Sequence, residues 1–359
     1  MKKAGACGND PDTQLSSYFH LSWSTNRVAN SSATIRDVAK LAELSVASVS
    51  RVLNGHGNVH ADTRKRVLKA MDTLGYVPNA AARSLSTARS HAIGIVLPDL
   101  HGEFFSELVR GMDMAASDAN YMMLLSTMHA DRERAIQALS AMRGRIDGAI
   151  VMAPQLSPED LRRALPAGSP AVLVNSPEED GQHHNLRIDN RGGVTLMVRH
   201  LLASGRKRIV HLAGVAENLD AVERKQAFCD TMKALAPELP VRVLDGDFTD
   251  TGAELLVQQL LASGEEFDAI FAANDMMALG ALKVLRTIGI SVPGQVAVAG
   301  FDDIPLASFL DLTTMRIEIS DFGKRAVERL VAELSNDAPP ATLERVTPTL
   351  ITRATTASG

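Results

Sequence analysis

Two sets of residues in this chain have types and spacing that suit chemistry. The first is Arg51 with Val46, Ala47, Ser48, Ser50 and Asn54 around it. An arginine fork matches the O6 and N7 acceptors of guanine. Small apolar side chains such as Val46 and Ala47 can touch thymine methyls, and short polar tips such as Ser48, Ser50 and Asn54 suit phosphate oxygens. The second set is a series of polar pairs that follow short apolar runs: Pro98-Asp99, Asn175-Ser176, Asp189-Asn190, Asn274-Asp275 and Asp302-Asp303. Polar groups at the carboxyl ends of parallel strands commonly line a ligand crevice. Covalent and redox chemistry have little support. No Gly-x-Gly-x-x-Gly follows the first apolar run, and no nucleophile–base pair stands out. His183-His184 is the best metal-like pair, but adjacent histidines in a Gly/Gln/Asn loop are usually solvated. Cys7 and Cys229 form neither a disulfide framework nor a spaced metal-ligand set. The expectation is a non-enzyme without cofactor or metal, in the reducing cytosol.

The elements that must position Arg51 can be read from the apolar period. Thr34 is a helix N-cap before Ile35, Val38, Ala39 and Ala42, which share one face. Glu43-Leu44 makes a turn, and Ser45 caps a second helix through Val46, Val49, Val52 and Leu53. Asn54-Gly55 ends it. Asp62 or Thr63 opens a third helix with Val67, Leu68, Met71 and Leu74, closed by Gly75, and Pro78 stops any continuation. Ile35 to Leu53 fits a helix-turn-helix, whose second helix presents its first residues to base edges in the major groove.

Charge is divided along the chain. Residues 33–90 carry nine Lys/Arg against four Asp/Glu, whereas residues 91–359 carry 25 against 36. A small basic module joined to a large acidic body suits a polyanionic partner for the basic part. Residues 1–32 are rich in Ser, Asn and Asp without a sustained apolar period, and are expected to be a disordered tail. They carry no basic-then-apolar secretion signal, and no stretch of the chain has the ~18 uninterrupted apolar residues of a membrane span.

From His91 the pattern changes to short apolar runs separated by amphipathic stretches. The runs are Ile93–Leu97, Met122–Leu125, Ala149–Met152, Ala171–Val174, Ile209–Leu212, Ala269–Ala272 and Val296–Ala299. Phe104–Ala116, Gly193–Leu202 and Met276–Ile288 read as helices between them. This alternation predicts parallel sheets covered by helices, and the length predicts two α/β lobes.

The stretch from Ala33 to Thr87 resembles the DNA-binding headpiece and hinge of the lactose-repressor (LacI/GalR) family. The matching residues include Asp37-Val38-Ala39, Val49-Ser50-Arg51-Val52-Leu53-Asn54, Thr63-Arg64 and Gly75-Tyr76-Val77-Pro78-Asn79. Glu43 departs from the pattern, because these turns usually hold glycine or another small residue. The resemblance implies that Ala80–Ser86 is a hinge that becomes helical on operator DNA. Leu85 then matches the family's minor-groove wedge, which kinks the duplex; were the segment only a flexible Ala/Ser linker, Arg83 would add nonspecific phosphate attraction. The body from His91 to about Thr355 resembles the family's two-lobed ligand domain, which shares its fold with periplasmic sugar-binding proteins. Ile93-Gly94-Ile95, Phe104-Phe105, Ala273-Asn274-Asp275, Ala278-Leu279-Gly280, Ala299-Gly300-Phe301-Asp302-Asp303 and Leu312-Thr313-Thr314 carry that likeness.

The resemblance implies an N-terminal all-α helix-turn-helix headpiece with a hinge helix, joined to a type I periplasmic-binding-protein-like α/β effector domain. The expected boundaries are a tail at 1–32, a headpiece at 33–77, a hinge at 78–90 and a body at 91–359. Within the body, lobe 1 takes 91–188 and 318–342, and lobe 2 takes 190–316 and 343–359. The three expected crossings lie near Asp189, between Asn274 and Thr313, and between Arg316 and Asp321. Position by position, the resemblance also implies a pocket of Phe104, Phe105, Asp189, Asp220, Arg224, Phe248, Asn274 and Asp302. Aromatic faces with Asn, Asp and Arg suit a sugar ring. Purines are the competing class, but their pockets place a threonine and an extra arginine where this chain has Asp220 and Asn218.

The reading that unites these features is a homodimeric transcription regulator, expected to be a repressor. It would bind double-stranded operator DNA under control of a small-molecule effector, with no membrane partner. No leucine heptad follows Thr352, so a tetramer zipper is not expected. A sugar-transport receptor would instead show a secretion signal and no headpiece.

Overall fold

The computed structural model describes residues 33–53, 59–76, 89–129, 131–165, 168–177 and 181–357. The chain divides into two compact units at about residue 83. The expected tail, Asn54 and the hinge residues Ala80–Ser86, with Arg83 and Leu85, lie outside the described residues.

The first unit contains three helices, α1 (Ile35–Leu41), α2 (Val46–Leu53) and α3 (Ala61–Leu74). Thr34 and Asp37 form a reciprocal capping box at the start of α1. Ser45 Oγ accepts from Ser48 N at 3.1 Å, which caps α2. The third helix begins earlier than the sequence suggests, because His60 is its N-cap rather than Asp62 or Thr63. Its imidazole Nδ1 takes the Asp62 N–H at 3.4 Å. Gly75 ends α3 with φ +58°, the left-handed conformation that glycine adopts without a Cβ clash. Val38, Val49 and Val67, one from each helix, are fully buried at the centre.

The second unit has two lobes. In the first, a parallel sheet has the order β11-β5-β4-β3-β1-β2. Its strands are β1 (Ala92–Leu97), β2 (Met122–Thr127), β3 (Gly148–Met152), β4 (Ala171–Val174), β5 (His184–Ile188) and β11 (Leu343–Val346). Helices α4 (Glu103–Asp118), α5 (Arg132–Met142), α6 (Pro158–Ala164) and α12 (Ile319–Leu334) belong to this lobe. α4 and α12 cross where Gly111 meets Ser320. A Cβ on Gly111 would lie 1.9 Å from the Ser320 carbonyl oxygen, so only glycine allows the backbones so close.

The second lobe carries the parallel sheet β7-β6-β8-β9. Its strands are β6 (Ile209–Ala213), β7 (Arg242–Asp245), β8 (Ala269–Ala272) and β9 (Ala297–Ala299). With them go α7 (Asn190–Ala203), α8 (Leu219–Leu235), α9 (Asp250–Ala262), α10 (Asp275–Thr287) and α11 (Pro305–Phe309). The antiparallel pair β10 (Thr314–Arg316) and β12 (Thr349–Ile351) extends this lobe through bridges from Ala299 to Thr313 and from Asp302 to Arg316.

Two expectations need correction. No crossing occurs between Asn274 and Thr313; that whole stretch stays in the second lobe. The chain crosses at Asp189, after β10, and between β11 and β12. Residues 343–346 therefore belong to the first lobe. α12 ends beside the open edge of β5, and β11 satisfies that edge in register, Leu343 opposite Asn185 through Val346 opposite Ile188.

His211 lies at the centre of β6 and is fully buried, stacked on Phe228 with ring centroids 5.0 Å apart. Its Nδ1 meets the Phe271 carbonyl at 2.8 Å, and a carbonyl only accepts, so the proton sits on Nδ1. Nε2 is buried without a partner. Burial pushes this imidazole down to about 4, although the Phe271 carbonyl favours the cation. A histidine depressed in the folded state favours folding while it is neutral. Its contribution is complete above the ordinary value of 6.5 and is lost as pH falls through 4. His211→Leu is therefore expected to remove about 3 kcal/mol of the acid-side loss of stability between those pH values. Urea denaturation followed by circular dichroism at a series of pH values measures it.

Candidate functional site

In the first unit, α2 turns one face outward. Val49 and Val52 are buried, whereas Val46, Ala47 and Arg51 are exposed and Ser48 and Ser50 are half-buried. This alternation follows from the helical period, with the valines three residues apart facing α1 and α3. Glu43 sits in the turn at φ +53°, which favours glycine and carries strain for a larger residue. Arg66 of α3 holds that turn: its Nη2 donates to the Ala42 carbonyl at 2.6 Å and pairs with the Glu43 carboxylate at 3.5 Å. The Glu43 side chain, the point of departure from the family pattern, thus has a cationic neighbour within the bundle.

In the second unit, the carboxyl ends of the strands of both lobes face a cavity of about 340 Å³. Phe104, Phe105 and Asn175 line it from the first lobe, and Asp220, Arg224, Phe248, Asn274 and Asp302 from the second. Phe104 and Phe105 meet edge to face at 5.4 Å. Phe248 has φ +67°, and its ring lies so close to Gly214 that a Cβ there would be 2.3 Å from the ring. Asn274 caps α10 by accepting from Met277 N at 2.9 Å, while its amide donates to the Phe248 carbonyl at 3.1 Å. The strand-end asparagine therefore fixes the aromatic wall as well as lining the cleft.

Arg224, 3 % exposed, is held from several directions. Its Nε donates to Asn190 Oδ1 at 2.8 Å and its Nη1 to the Ala273 carbonyl at 2.5 Å. The guanidinium carbon lies 3.8 Å from the centroid of the Phe301 ring. Asp302 approaches it at 3.6 Å, an ion-pair distance beyond a direct hydrogen bond. Asn190 also donates to Asp220 at 2.8 Å and to Glu223 at 2.9 Å. Burial pushes the Asp302 carboxyl up to about 7, against the pull of Arg224 and with a further push from Asp220. Burial likewise raises Asp220. Behind them, burial and then Asp302 raise Asp275, whose carboxylate accepts from Thr314 at 2.6 Å and from Ile304 N at 2.9 Å.

Asp189 departs from the expectation. It is not among the residues lining the cavity, and its carboxylate caps α7 by accepting from Gly192 N at 3.0 Å. The next residue, Asn190, turns inward instead and reaches Arg224. Sequence reading did not single out Glu223, and it placed Asn190 and Asp275 only as members of the polar strand-end pairs. His184 is not solvated either. It is buried at the start of β5, with Nδ1 3.3 Å from both the nitrogen and the hydroxyl of Thr342. Among the described residues, no cluster of three or more His, Cys, Asp or Glu side chains could hold a metal ion.

Polar contacts join the lobes around the cleft. Leu306 N donates to Glu103 Oε2 at 2.8 Å, Leu219 N donates to the Pro154 carbonyl at 3.2 Å, and Arg187 pairs with Glu223.

Comparison with known proteins gives the same division. Residues 34–79 match the bacterial regulatory proteins of the lacI family, and residues 198–356 match a periplasmic binding protein-like domain. The HTH-type transcriptional regulator GalR of Escherichia coli (strain K12) is 32% identical over 325 residues, covering 89% of this chain and 95% of its own. The chain belongs to the lacI family. As a lacI-family protein it is a helix-turn-helix transcriptional regulator. The lac repressor dimer bound to operator and the anti-inducer ONPF superimposes with a TM-score of 0.82 at 27% identity, over 91% of this chain and 99% of that one. The transcriptional regulator CelR in complex with cellobiose gives 0.65 at 29% identity, over 90% and 99%.

Removing the Arg224 guanidinium would leave Asp302, Asn190 and the Ala273 carbonyl facing an empty space. Breaking such a buried set costs ~3–5 kcal/mol. Arg224→Ala in this lacI-family chain is therefore expected to lower the melting temperature clearly, read by circular dichroism. Asp302→Asn tests the same cluster through pH. A carboxyl raised in the folded chain favours folding while protonated; its contribution is complete below the ordinary 3.8 and is lost as pH rises through about 7. The Asn variant should lack that loss. The slope is opposite to that of His211 over nearly the same window, so each variant exposes the other group.

Proposed function

We propose that this regulator works as a homodimer in the cytoplasm, binds a two-half-site operator, and changes its operator affinity when a sugar occupies the cleft. Repression is the favoured mode. The single observation that supports the effector reading best is Asp302. It is 5 % exposed, lines the cavity, and is held only at ion-pair distance from Arg224. A buried carboxyl in a cavity that Phe104 and Phe248 also line suits neighbouring hydroxyls on a ring whose C–H faces rest on the aromatic walls. The cellobiose bound by the similar regulator CelR agrees with that class. Asp220, Arg224, Asn274 and Phe105 complete the proposed pocket; Asp189 is left out of it.

On DNA, Arg51 is assigned to base reading, Val46 and Ala47 to thymine methyls, and Ser48, Ser50 and Asn54 to phosphates. Leu85 keeps the wedge role implied by the family resemblance, and Arg83 is assigned to phosphate attraction. Coupling requires the effector to bind the two lobe arrangements unequally. Where the body begins, Arg89 Nη2 donates to the Leu334 carbonyl at 3.0 Å, and Ser90 N donates to Asp147 at 2.6 Å. These bonds fix the first residues of the body to the first lobe. No helix among the described residues is long and apolar enough to cross a membrane.

Arg51→Ala is expected to cost ~1–3 kcal/mol of operator discrimination while nonspecific binding falls much less. Gel-shift titrations at fixed salt on operator and scrambled duplexes measure both. Equal losses on the two duplexes would reassign Arg51 to a phosphate. The effector reading is tested by adding cellobiose, pentoses, hexoses and purine bases to the operator complex. A sugar that changes the operator affinity supports it, and a response to purines alone refutes it.

A further inference from the structure

The wall of the cleft is unevenly charged. Five carboxylates line it, those of Asp99, Glu217, Asp220, Asp247 and Asp302. Among the described lining residues the basic side chains are Arg224 and the histidine His101. The Arg224 guanidinium is already committed to Asn190, the Ala273 carbonyl, Asp302 and the face of Phe301. It is therefore poorly placed to neutralise an incoming anion. His101 is turned toward another carboxylate, Asp250, at 3.9 Å.

Helix N-termini could offset this negative field, because their free N–H groups attract phosphates. At three of these helix starts, side chains already accept from part of those groups. Asn218 Oδ1 accepts from Asp220 N at 2.9 Å and Ala221 N at 3.2 Å at the start of α8. Thr249 Oγ1 accepts from Gly252 N at 2.9 Å at the start of α9, and itself donates to Asp247 at 2.7 Å. Asn274 fills the same role for α10. The start of α4 has no side-chain cap, but Glu103 is its first residue and Asp99 precedes it in the cleft wall.

We infer that the cleft selects an uncharged polyhydroxylated ring and rejects its phosphorylated or carboxylated counterparts. This rests on the sugar reading above and narrows it. A phosphate or uronate group in this cavity would meet five acidic side chains, Asp220 and Asp302 buried and Asp99, Glu217 and Asp247 exposed, while the one guanidinium of the wall is already engaged. Hydroxyls, by contrast, donate to these same oxygens.

Isothermal titration calorimetry on the full chain at pH 8 and low salt tests this with matched probes. The pairs are glucose with glucose 6-phosphate, ribose with ribose 5-phosphate, and cellobiose with cellobionate, with guanine as the purine. The expected result is binding of a neutral sugar, with its anionic partner at least tenfold weaker. That gap should narrow in high salt and in the exposed-site variant Glu217→Gln. An anionic sugar that binds as tightly as its neutral parent, or more tightly, overturns the inference while leaving the sugar reading intact. Binding of guanine with no carbohydrate of either charge removes the sugar reading and this inference together.

Discussion

A buried guanidinium is costly to desolvate, and the cleft wall of the second lobe is organised around meeting that cost. Arg224 reaches from α8 to three other places: Asn190 at the first residue of α7, Ala273 just beyond β8, and Asp302 beyond β9. These are the points where the sheet ends and the cleft begins. Because the same cation touches all three, none can move far without exposing an unpaired charge or dipole. The raised carboxyls of Asp302 and Asp220 express the other side of the arrangement: burial disfavours their charge, and one guanidinium offsets it only in part.

That cluster stands next to the crossings. Asn190 follows the first crossing directly, and Asp302 is bridged to Arg316, the last residue of β10, just before the chain returns to the first lobe. Asp303 pairs with Arg316 at 2.6 Å and with Arg353 at 2.7 Å, which ties the strand end to both β10 and the segment after β12. The residues that face the cavity and those that carry the chain between lobes are therefore neighbours in sequence and joined in space. Asp302 thus belongs both to the cavity wall and to the bridge that meets a crossing segment.

Much of the architecture was legible in the sequence where local physics decides. The capping box of Thr34 and Asp37, the Ser45 cap and the Gly75 terminus all follow from short-range hydrogen bonding, and they stand where expected. The apolar runs at Ile93–Leu97, Ala171–Val174 and Ala269–Ala272 are strands because both sheet faces are covered and every position is buried. β5, β7 and β11 escaped the same reading. Their sequences, HNLRI, RVLD and LERV, are too polar to announce a buried strand. β7 and β11 lie at sheet edges, where one side is open and apolar residues are not required. Missing β11 displaced the last crossing, and the middle crossing was placed in a stretch that never leaves its lobe.

The sequence by itself determined the helix-turn-helix, the two-lobed α/β body and the residue types of the cleft. Each depends on periodicity, capping or a motif contiguous in the chain. Tertiary structure decided which of two adjacent polar residues faces inward. Asp189 and Asn190 are equally polar and side by side, yet Asp189, the N-cap outside the helix, turns its carboxylate back onto the Gly192 N–H, while Asn190, the first helical residue, holds Arg224. It also decided that His184 is buried, and that the Arg224 guanidinium is occupied by groups 34, 49 and 78 residues distant in sequence (Asn190, Ala273 and Asp302). Such long-range pairings depend on where the strands end in space, and no local pattern encodes that.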